Sequence, residues 1–589
     1  MKLTETVFGW EDSSNVATIA VTPLETTDNA KYYRITVDYP EKRFPERIKL
    51  WWFTEFDDTF STWHPNGSFR HELMPSWRPV DSHSRSASGA PVFALIAKNG
   101  ENRCTFAISD AAVPTRFTGG MEERNGKIKC TIELFTNRVD MLSHYETVLR
   151  IDEAHKPYYE ALYDVRQWWN EVGYPAAHVP NDVKRTMFSS WYSFQKNITE
   201  ESVLEQCRMA KALGMDTVIL DDGWQCDEIV SGYTYCGDWE PTPTKFPDMR
   251  RFMDRLHELG MKCILWFSVP YVGAYAKNFE RFKDRFLRAT DGSRKVMVLD
   301  PRYADVREWL VETYVNAVRD WDLDGLKLDF IDSFSLSAES SVDYDSMDCP
   351  SLEAAVEKLL CEITTELKKI KPEIMIEFRQ SYIGPVMQKY GNILRVGDCA
   401  GASLVNRTSS IDLRLLTGDP TRHETTAIHS DMLMWDYDAS PEGAADQLSA
   451  CLFCTPQISV MYDRLSPEHT RMLKCYMDFM DKYRDVLLGG KLRPYAPEAN
   501  YTKVTAEKDG TLIAAMYADT MLTMPTEAKE CVIVNASGEK YVYVKNNGES
   551  VHRKCTIRNC MGDVVCEKEL DINGIVELEV PHNGFCYLN

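Results

Sequence analysis

A chain of 589 residues is too long for one hydrophobic core, and with 44% apolar and 26% charged residues it has the composition of a soluble globular protein of two or three domains. Its 67 basic residues stand against 89 acidic ones, a formal charge of −22 that excludes nucleic acid and anionic membrane as natural partners and suits a neutral ligand. Residues 1–15 lack the pattern of a secretory signal and no run reaches membrane-spanning length, so a cytoplasmic location with no membrane partner is expected.

From residue 1 to about 150, short alternating runs at 35–39, 48–53, 92–97, 104–109 and 128–135 are separated by Asn-Gly, Gly-Gly and Pro. They predict an N-terminal antiparallel β-sandwich domain which, with a linker helix over 158–171, occupies 1–172. From 173 to 490 the pattern becomes strand, loop, helix, strand. Strands are predicted at 186–194, 217–222, 262–269, 296–300, 325–330, 374–379, 393–398, 426–433 and 457–462. Helices are predicted at 202–213, 249–259, 304–320, 352–369 and 467–483. This alternation predicts a (β/α)₈ barrel, and with nine strand candidates one is expected to lie outside it. Residues 491–589 return to β patterns and predict a small C-terminal β-sandwich. The seventeen cysteines are scattered; Cys451 and Cys454 are the closest in spacing, in an apolar stretch that reads as helix, and reduced, mostly buried thiols are expected.

In a parallel barrel the interior is packed and functional groups stand where strands end. The predicted strands end in Asp221 and Asp222, Asp300, Asp329, Glu377 and Arg379, Asp398, and Ser430 with Asp431. Such an Asp can also cap the next helix, and for Asp300, followed by Pro301, that reading is equally good. Asp329 differs because Lys327 lies two positions earlier on the same face of Gly-Leu-Lys-Leu-Asp-Phe-Ile-Asp, where its charge would keep the carboxylate ionised, as a nucleophile requires. Glycoside cleavage needs one such carboxylate and one acid for the leaving oxygen. Asp398, in Leu-Arg-Val-Gly-Asp-Cys-Ala-Gly, is the expected acid, with a pKa raised by partly apolar surroundings. Trp191, Trp224 and Trp266, at or just past strand ends, are candidate platforms for the C–H face of a sugar.

With these residues in view, the barrel resembles glycoside hydrolase family 36, the α-galactosidases of the melibiase clan, through ordered motifs over about residues 180–400. Val-Ile-Leu-Asp-Asp-Gly-Trp resembles the family's strand ending in Asp-Asp-Gly-Trp, which implies that Asp221 and Asp222 bind O4 and O6 of the sugar. Leu-Trp-Phe is similar to the segment carrying the family's sugar-contacting tryptophan, here Trp266. Arg294 in Ser-Arg-Lys-Val-Met-Val-Leu-Asp matches a sugar-binding arginine, and Trp191 an active-site aromatic. Lys327-Leu-Asp329 stands where the family has Lys-Trp-Asp, whose Asp is the nucleophile and whose Lys binds hydroxyls. The resemblance implies a retaining exo-acting α-galactosidase with an α-linked oligosaccharide or glycoside as ligand and no cofactor or metal. Members often assemble, which leaves a homo-oligomer open.

The departures concern recognition. The family's Glu-Pro-Glu is here Ser268-Val-Pro270, and its Cys-x-Ser-Gly-Gly-Gly run near O2 is Glu377-Phe-Arg379-Gln380-Ser381-Tyr382, which puts Arg379 on the O2 side and suits an acidic or otherwise substituted sugar. Its Ser-Asp-Asn-x-Asp is Gly397-Asp398-Cys399-Ala400. An α-N-acetylgalactosaminidase, another α-glycosidase or transglycosidase, and a non-catalytic carbohydrate-binding barrel are therefore the alternatives. A metal-dependent hydrolase built on Asp221, Asp222, His429 and Asp431 is a weaker one, since no HxH or HExxH spacing occurs.

Overall fold

The structure, a computed structural model, describes residues 6–589 except 27–29, 66–68, 231, 338–339, 342–343, 380, 526, 547 and 549. Eight strands close into a barrel, and we label them β1 (Met187–Ser189), β2 (Thr217–Leu220), β3 (Lys262–Ser268), β4 (Gly325–Asp329), β5 (Met375–Arg379), β6 (Ile393–Arg395), β7 (Ala427–Leu433) and β8 (Thr455–Ile458). Neighbours pair in parallel, as Phe188 with Val218 and Lys327 with Glu377, and the ring closes where Met187 pairs with Gln457. The strands β4, β5 and β8 are buried along their whole length, as expected where a packed interior and a helical layer cover the two faces.

The chain divides into two compact units, one of residues 1–177, 230–240 and 266–392 and the other of residues 178–229, 241–265 and 393–589. The first begins with two six-stranded sheets. Alternation sets their inward faces: in Ile48–Thr54 every second residue is buried. Trp52, Phe117 and Ile132 of one sheet and Val37, Phe93 and Phe106 of the other share a single core, the arrangement of a sandwich. The helix Tyr158–Glu171 follows, anchored by Trp169 Nε1 donating to the Ile108 carbonyl at 3.0 Å. Helices Ala304–Trp321 and Leu352–Ile370 then alternate with β4 and β5; the second starts where Ser351 accepts from the Ala354 amide, a cap that contributes about 1 kcal/mol.

The second unit carries β1, β2, β6, β7, β8 and the first four residues of β3. Helix Glu200–Leu213 is bounded by a capping box at Thr199 and Ser202 and by left-handed Gly214. Pro441 and Pro467 open two further helices behind Ser440 and Ser466 caps, where their fixed φ and missing amide cost nothing. After residue 490 a seven-stranded and a three-stranded sheet share a core that includes Ile533, Val544 and Leu578.

Several boundaries differ from the sequence reading. The ninth strand, Val296–Leu299, lies outside the barrel in a small antiparallel sheet with Tyr271–Gly273 and Phe286–Ala289. Asp300 is therefore not a rim carboxylate; it is buried and accepts from Arg302 Nε at 2.9 Å and Nη2 at 2.8 Å. The candidate at 186–194 is a three-residue strand followed by the helical turn Trp191–Phe194. The helix expected to hold Cys451 and Cys454 ends at Ala450, so both fall in the following turn.

Candidate active site

The pairing of Lys327 with Glu377 fixes what stands at the ends of β4 and β5. Two residues further along each strand, on the same face, come Asp329 and Arg379. Asp329 is only 5% exposed. Its Oδ2 accepts from Trp266 Nε1 at 2.8 Å, and its Oδ1 accepts from the Phe330 amide at 2.8 Å and from Arg379 Nε. The Tyr382 hydroxyl shares its proton between the Leu328 carbonyl at 3.0 Å and Asp329 Oδ1 at 3.4 Å. Burial by itself pushes this carboxyl up; the charges of Arg379 and Lys327 and the hydrogen bonds from Trp266 and Arg379 outweigh it and hold the group below the usual carboxylate value.

The residue after Asp329 is held in a conformation that side chains rarely adopt. Phe330 has a φ of 65°, which costs of order 1–3 kcal/mol for a bulky residue and directs its amide back onto the preceding carboxylate. Its ring lies 4.6 Å below the Arg379 guanidinium carbon, 4.6 Å from Tyr271 and 4.9 Å from Tyr233. The turn beyond it is pinned by Arg85, which donates to the Asp332 and Phe334 carbonyls at 2.5 and 2.6 Å, by Arg288 on the Ser333 carbonyl at 2.8 Å, and by Ser381 on Asp332 at 2.7 Å. Arg85 comes from the N-terminal sandwich, which thereby helps fix the loop beside Asp329.

In the other unit β2 runs into Asp221-Asp222-Gly223-Trp224. A Cβ at Gly223 would sit 2.7 Å from the Lys196 Cα, and the residue has a φ of +118°, so the motif needs glycine at this point. Asp222 lies 3.3 Å from Lys196 Nζ and accepts from Gln225 Nε2 at 2.7 Å. Burial raises its pKa to about 6 against the opposing pull of Lys196 and Gln225. Beyond β6, Arg395 is divided between two carboxylates: Nη1 donates to buried Asp431 at 2.5 Å and Nη2 to Asp398 at 2.9 Å. Asp431 also accepts from the Tyr192 hydroxyl at 2.8 Å and the Cys399 amide at 2.6 Å, and both the Tyr192 hydroxyl and the Cys399 thiol are pushed up in pKa, by burial first and by Asp431 second. The apolar surroundings expected for Asp398 are not found, because its side chain is 53% exposed and ion-paired.

Trp266, Lys327, Asp329 and Arg379 are thus gathered in one unit, and Asp221 with Asp222, and Asp398 with Arg395 and Asp431, in the other. Arg379 meets the Asp329 carboxylate itself. Trp191 is half-buried at the start of its helical turn. Trp224 is 0% exposed, so it presents no free ring face, and Arg294 stands exposed in a turn with a φ of 55°. Gln380 lies outside the described residues. His429 is a core residue: Nε2 is 2.7 Å from the Val183 carbonyl, Nδ1 is 3.1 Å from Gln457 Nε2, and burial lowers its pKa to about 4. Among the described residues no group of three or more His, Cys, Asp or Glu side chains could hold a metal, and no helix is long and apolar enough to cross a membrane.

Tyr192, Lys196 and Arg395 stand outside the sequence candidates, and Tyr382 appears among them only as part of the run that ends at it. Arg395 carried a signal, a charge inside an apolar strand; the aromatic hydroxyls carried none.

The Melibiase family profile matches residues 176–384. Over 198 residues, 33% of this chain and 27% of the relative, it is 27% identical to alpha-galactosidase 2 of Pediococcus pentosaceus. Over 194 residues it is 26% identical to the A type blood alpha-D-galactosamine galactosaminidase of Flavonifractor plautii, covering 30% of this chain and 17% of that relative. These matches span about a quarter or less of the relatives' own lengths. The solved alpha-galactosidase AgaA of Geobacillus stearothermophilus in complex with stachyose superposes with a TM-score of 0.64 at 13% identity, over 99% of this chain and 88% of that one, which establishes a common fold. By this profile and these distant relatives, residues 176–384, which carry β1–β5 of the barrel, are similar to the Melibiase family, and the chain shares the fold of the solved family 36 α-galactosidases.

Proposed function

We propose that this chain is a retaining, exo-acting α-glycosidase, foremost an α-galactosidase, with Asp329 as nucleophile and Asp398 as acid/base. The observation that carries the reading is the buried Asp329 carboxylate at the C-terminal end of β4, held ionised beside Arg379 and Lys327. Of its two oxygens, Oδ1 accepts from Arg379 Nε and the Phe330 amide, and Oδ2, which accepts from Trp266 among the described residues, is the one assigned the attack. It bonds to the anomeric carbon as the glycosidic bond breaks, and Asp398 gives its proton to the leaving oxygen. Asp398 then takes a proton from water, the water oxygen bonds to the same carbon, and the electron pair of the ester returns to Asp329. Two inversions leave the anomeric configuration unchanged.

Asp431 takes the shorter of the two Arg395 bonds, which leaves Asp398 the looser and more exposed partner, suited to exchanging protons with leaving group and water. Asp221, Asp222, Lys327 and Trp191 serve as sugar contacts in this reading, and the catalytic domain occupies 173–490 between β domains at 1–172 and 491–589. The ligand is an α-linked oligosaccharide or glycoside; transfer to a sugar acceptor in place of water uses the same two carboxylates. The test is a panel of nitrophenyl α-glycosides, galactoside and N-acetylgalactosaminide included, with the first-formed product followed by proton NMR. Release of the α-anomer first is expected; release of the β-anomer first removes the assignment of roles, and no turnover on any member of the panel removes the enzymatic reading.

A further inference from the structure

One feature of the first unit is unused by the two-carboxylate chemistry: a hydrogen-bonded ribbon that carries aromatic rings packed beside Asp329 and a second, exposed aromatic pair. Phe330, whose amide binds Asp329, is packed 4.9 Å from Tyr233, and Tyr233 lies 6.3 Å from Trp266 with the rings inclined by only 24°. Tyr233 opens a tight turn in which the Cys236 amide donates to its carbonyl at 3.1 Å. That turn is bonded to the segment after Tyr271: the Gly273 amide donates to the Cys236 carbonyl at 2.8 Å and the Tyr275 amide to the Thr234 carbonyl at 3.0 Å. The two stretches approach so closely that a Cβ on Gly273 would stand 2.2 Å from the Thr234 carbonyl carbon. Both follow barrel strands, β2 and β3, and so belong to the face where the strands end.

At the outer end of this ribbon Tyr235 and Tyr275 pack against each other, ring centroids 5.0 Å apart, yet remain 39% and 61% exposed. Tyr235 is two residues from Tyr233, and the turn keeps its four Cα atoms within about 7 Å, so the backbone that carries the exposed pair is close to the backbone of Tyr233, whose ring packs on Phe330. The rim is polar and mixed in sign: Lys277 bridges to Glu240 at 2.7 Å, and Asp238 accepts the Lys277 and Asn278 amides. Aromatic faces with phenol edges and a rim without one dominant charge match the alternating C–H and hydroxyl surface of a neutral sugar. A polyanion would find Asp238 and Glu240 in its way.

We propose that Tyr235 and Tyr275 form a platform for the aglycone sugars of an α-linked oligosaccharide, beyond the sugar that is cleaved. This rests on the glycosidase reading above. The experiment compares the trisaccharide raffinose with α-galactosyl fluoride, whose leaving group is a single atom, for the wild type and for Tyr235→Ala, Tyr275→Ala and the double variant. The ratio of kcat/KM on raffinose to that on the fluoride should fall about three- to tenfold in each single variant, mainly through KM, and further in the double variant. An unchanged ratio overturns the platform, as does a shift of the variants from oligomer to monomer in sedimentation with the ratio unchanged, which would make the pair a contact between copies of this chain. If the wild type turns over neither substrate, the α-galactosidase reading fails, and raffinose titrated into each protein by NMR still decides the platform: affinity weakened by the tyrosine changes supports it, and equal or absent binding overturns it.

Discussion

Arg379→Met is the perturbation that most directly isolates what holds Asp329 ionised. Methionine keeps much of the aliphatic volume over Phe330 and removes both the charge and the Nε–H donor. A hydrogen bond to a charged group contributes about 1.5–3 kcal/mol, and Lys327 and the Trp266 indole remain, so a loss in that range is expected, not the larger penalty of an uncompensated buried charge. The sign follows from the direction of the shift. Because Asp329 titrates below its ordinary value in the fold, its ionisation contributes stability that is present above the usual carboxylate range and lost as pH falls through its own lower pKa. Arg379→Met should therefore be destabilised most near neutrality and converge on the wild type in acid. The acid limb of kcat/KM should move to higher pH, with a fall of about ten- to a hundredfold at neutral pH. Thermal denaturation from pH 3 to 8 and a pH–rate profile measure both. A destabilisation independent of pH, together with an unmoved acid limb, would refute the role given to Arg379.

Four further outcomes are expected. Asp222 is raised from 3.8 to about 6, a gap worth about 3 kcal/mol; a raised carboxyl adds stability below its unfolded value and loses it as pH rises through about 6, so Asp222→Asn should gain on the wild type between pH 4 and 7 in denaturant melts. Trp266→Phe removes the donor to Asp329 Oδ2 and should lower kcat about tenfold with the fold intact by circular dichroism. Asp398→Ala should lose far more activity on a poor leaving group than on a dinitrophenyl glycoside, which needs no protonation; equal losses would remove it as the acid. Dialysis against a chelator should leave kcat unchanged, and a loss restored by a divalent cation would revive the metal reading.

Much of the architecture was legible because it follows from periodicity. The helix Tyr158–Glu171 and the strand Val92–Ala97 lie where alternation and turn residues put them. The surplus strand Val296–Leu299 shows the limit of that signal: its apolar run matches a barrel strand, but only tertiary pairing with Tyr271–Gly273 and Phe286–Ala289 decides its sheet. The carboxylates at the ends of β2 and β4 were legible singly. What they touch was not, because it depends on register. Lys-Leu-Asp on β4 and Glu-Phe-Arg on β5 are complementary in charge, but only the strand pairing sets Arg379 against Asp329. Phe330 in the left-handed region left no trace in the sequence, since a bulky aromatic is the last residue expected there.

The most direct measurement is to trap the first covalent intermediate. The wild type, incubated with an activated 5-fluoro-galactosyl fluoride that forms the glycosyl-enzyme quickly and hydrolyses slowly, is digested and the labelled peptide sequenced by mass spectrometry. The account requires one sugar per chain, esterified to Asp329. A label on Asp398 or on any other carboxylate, or rapid turnover by a protein in which Asp329 is alanine, would contradict it.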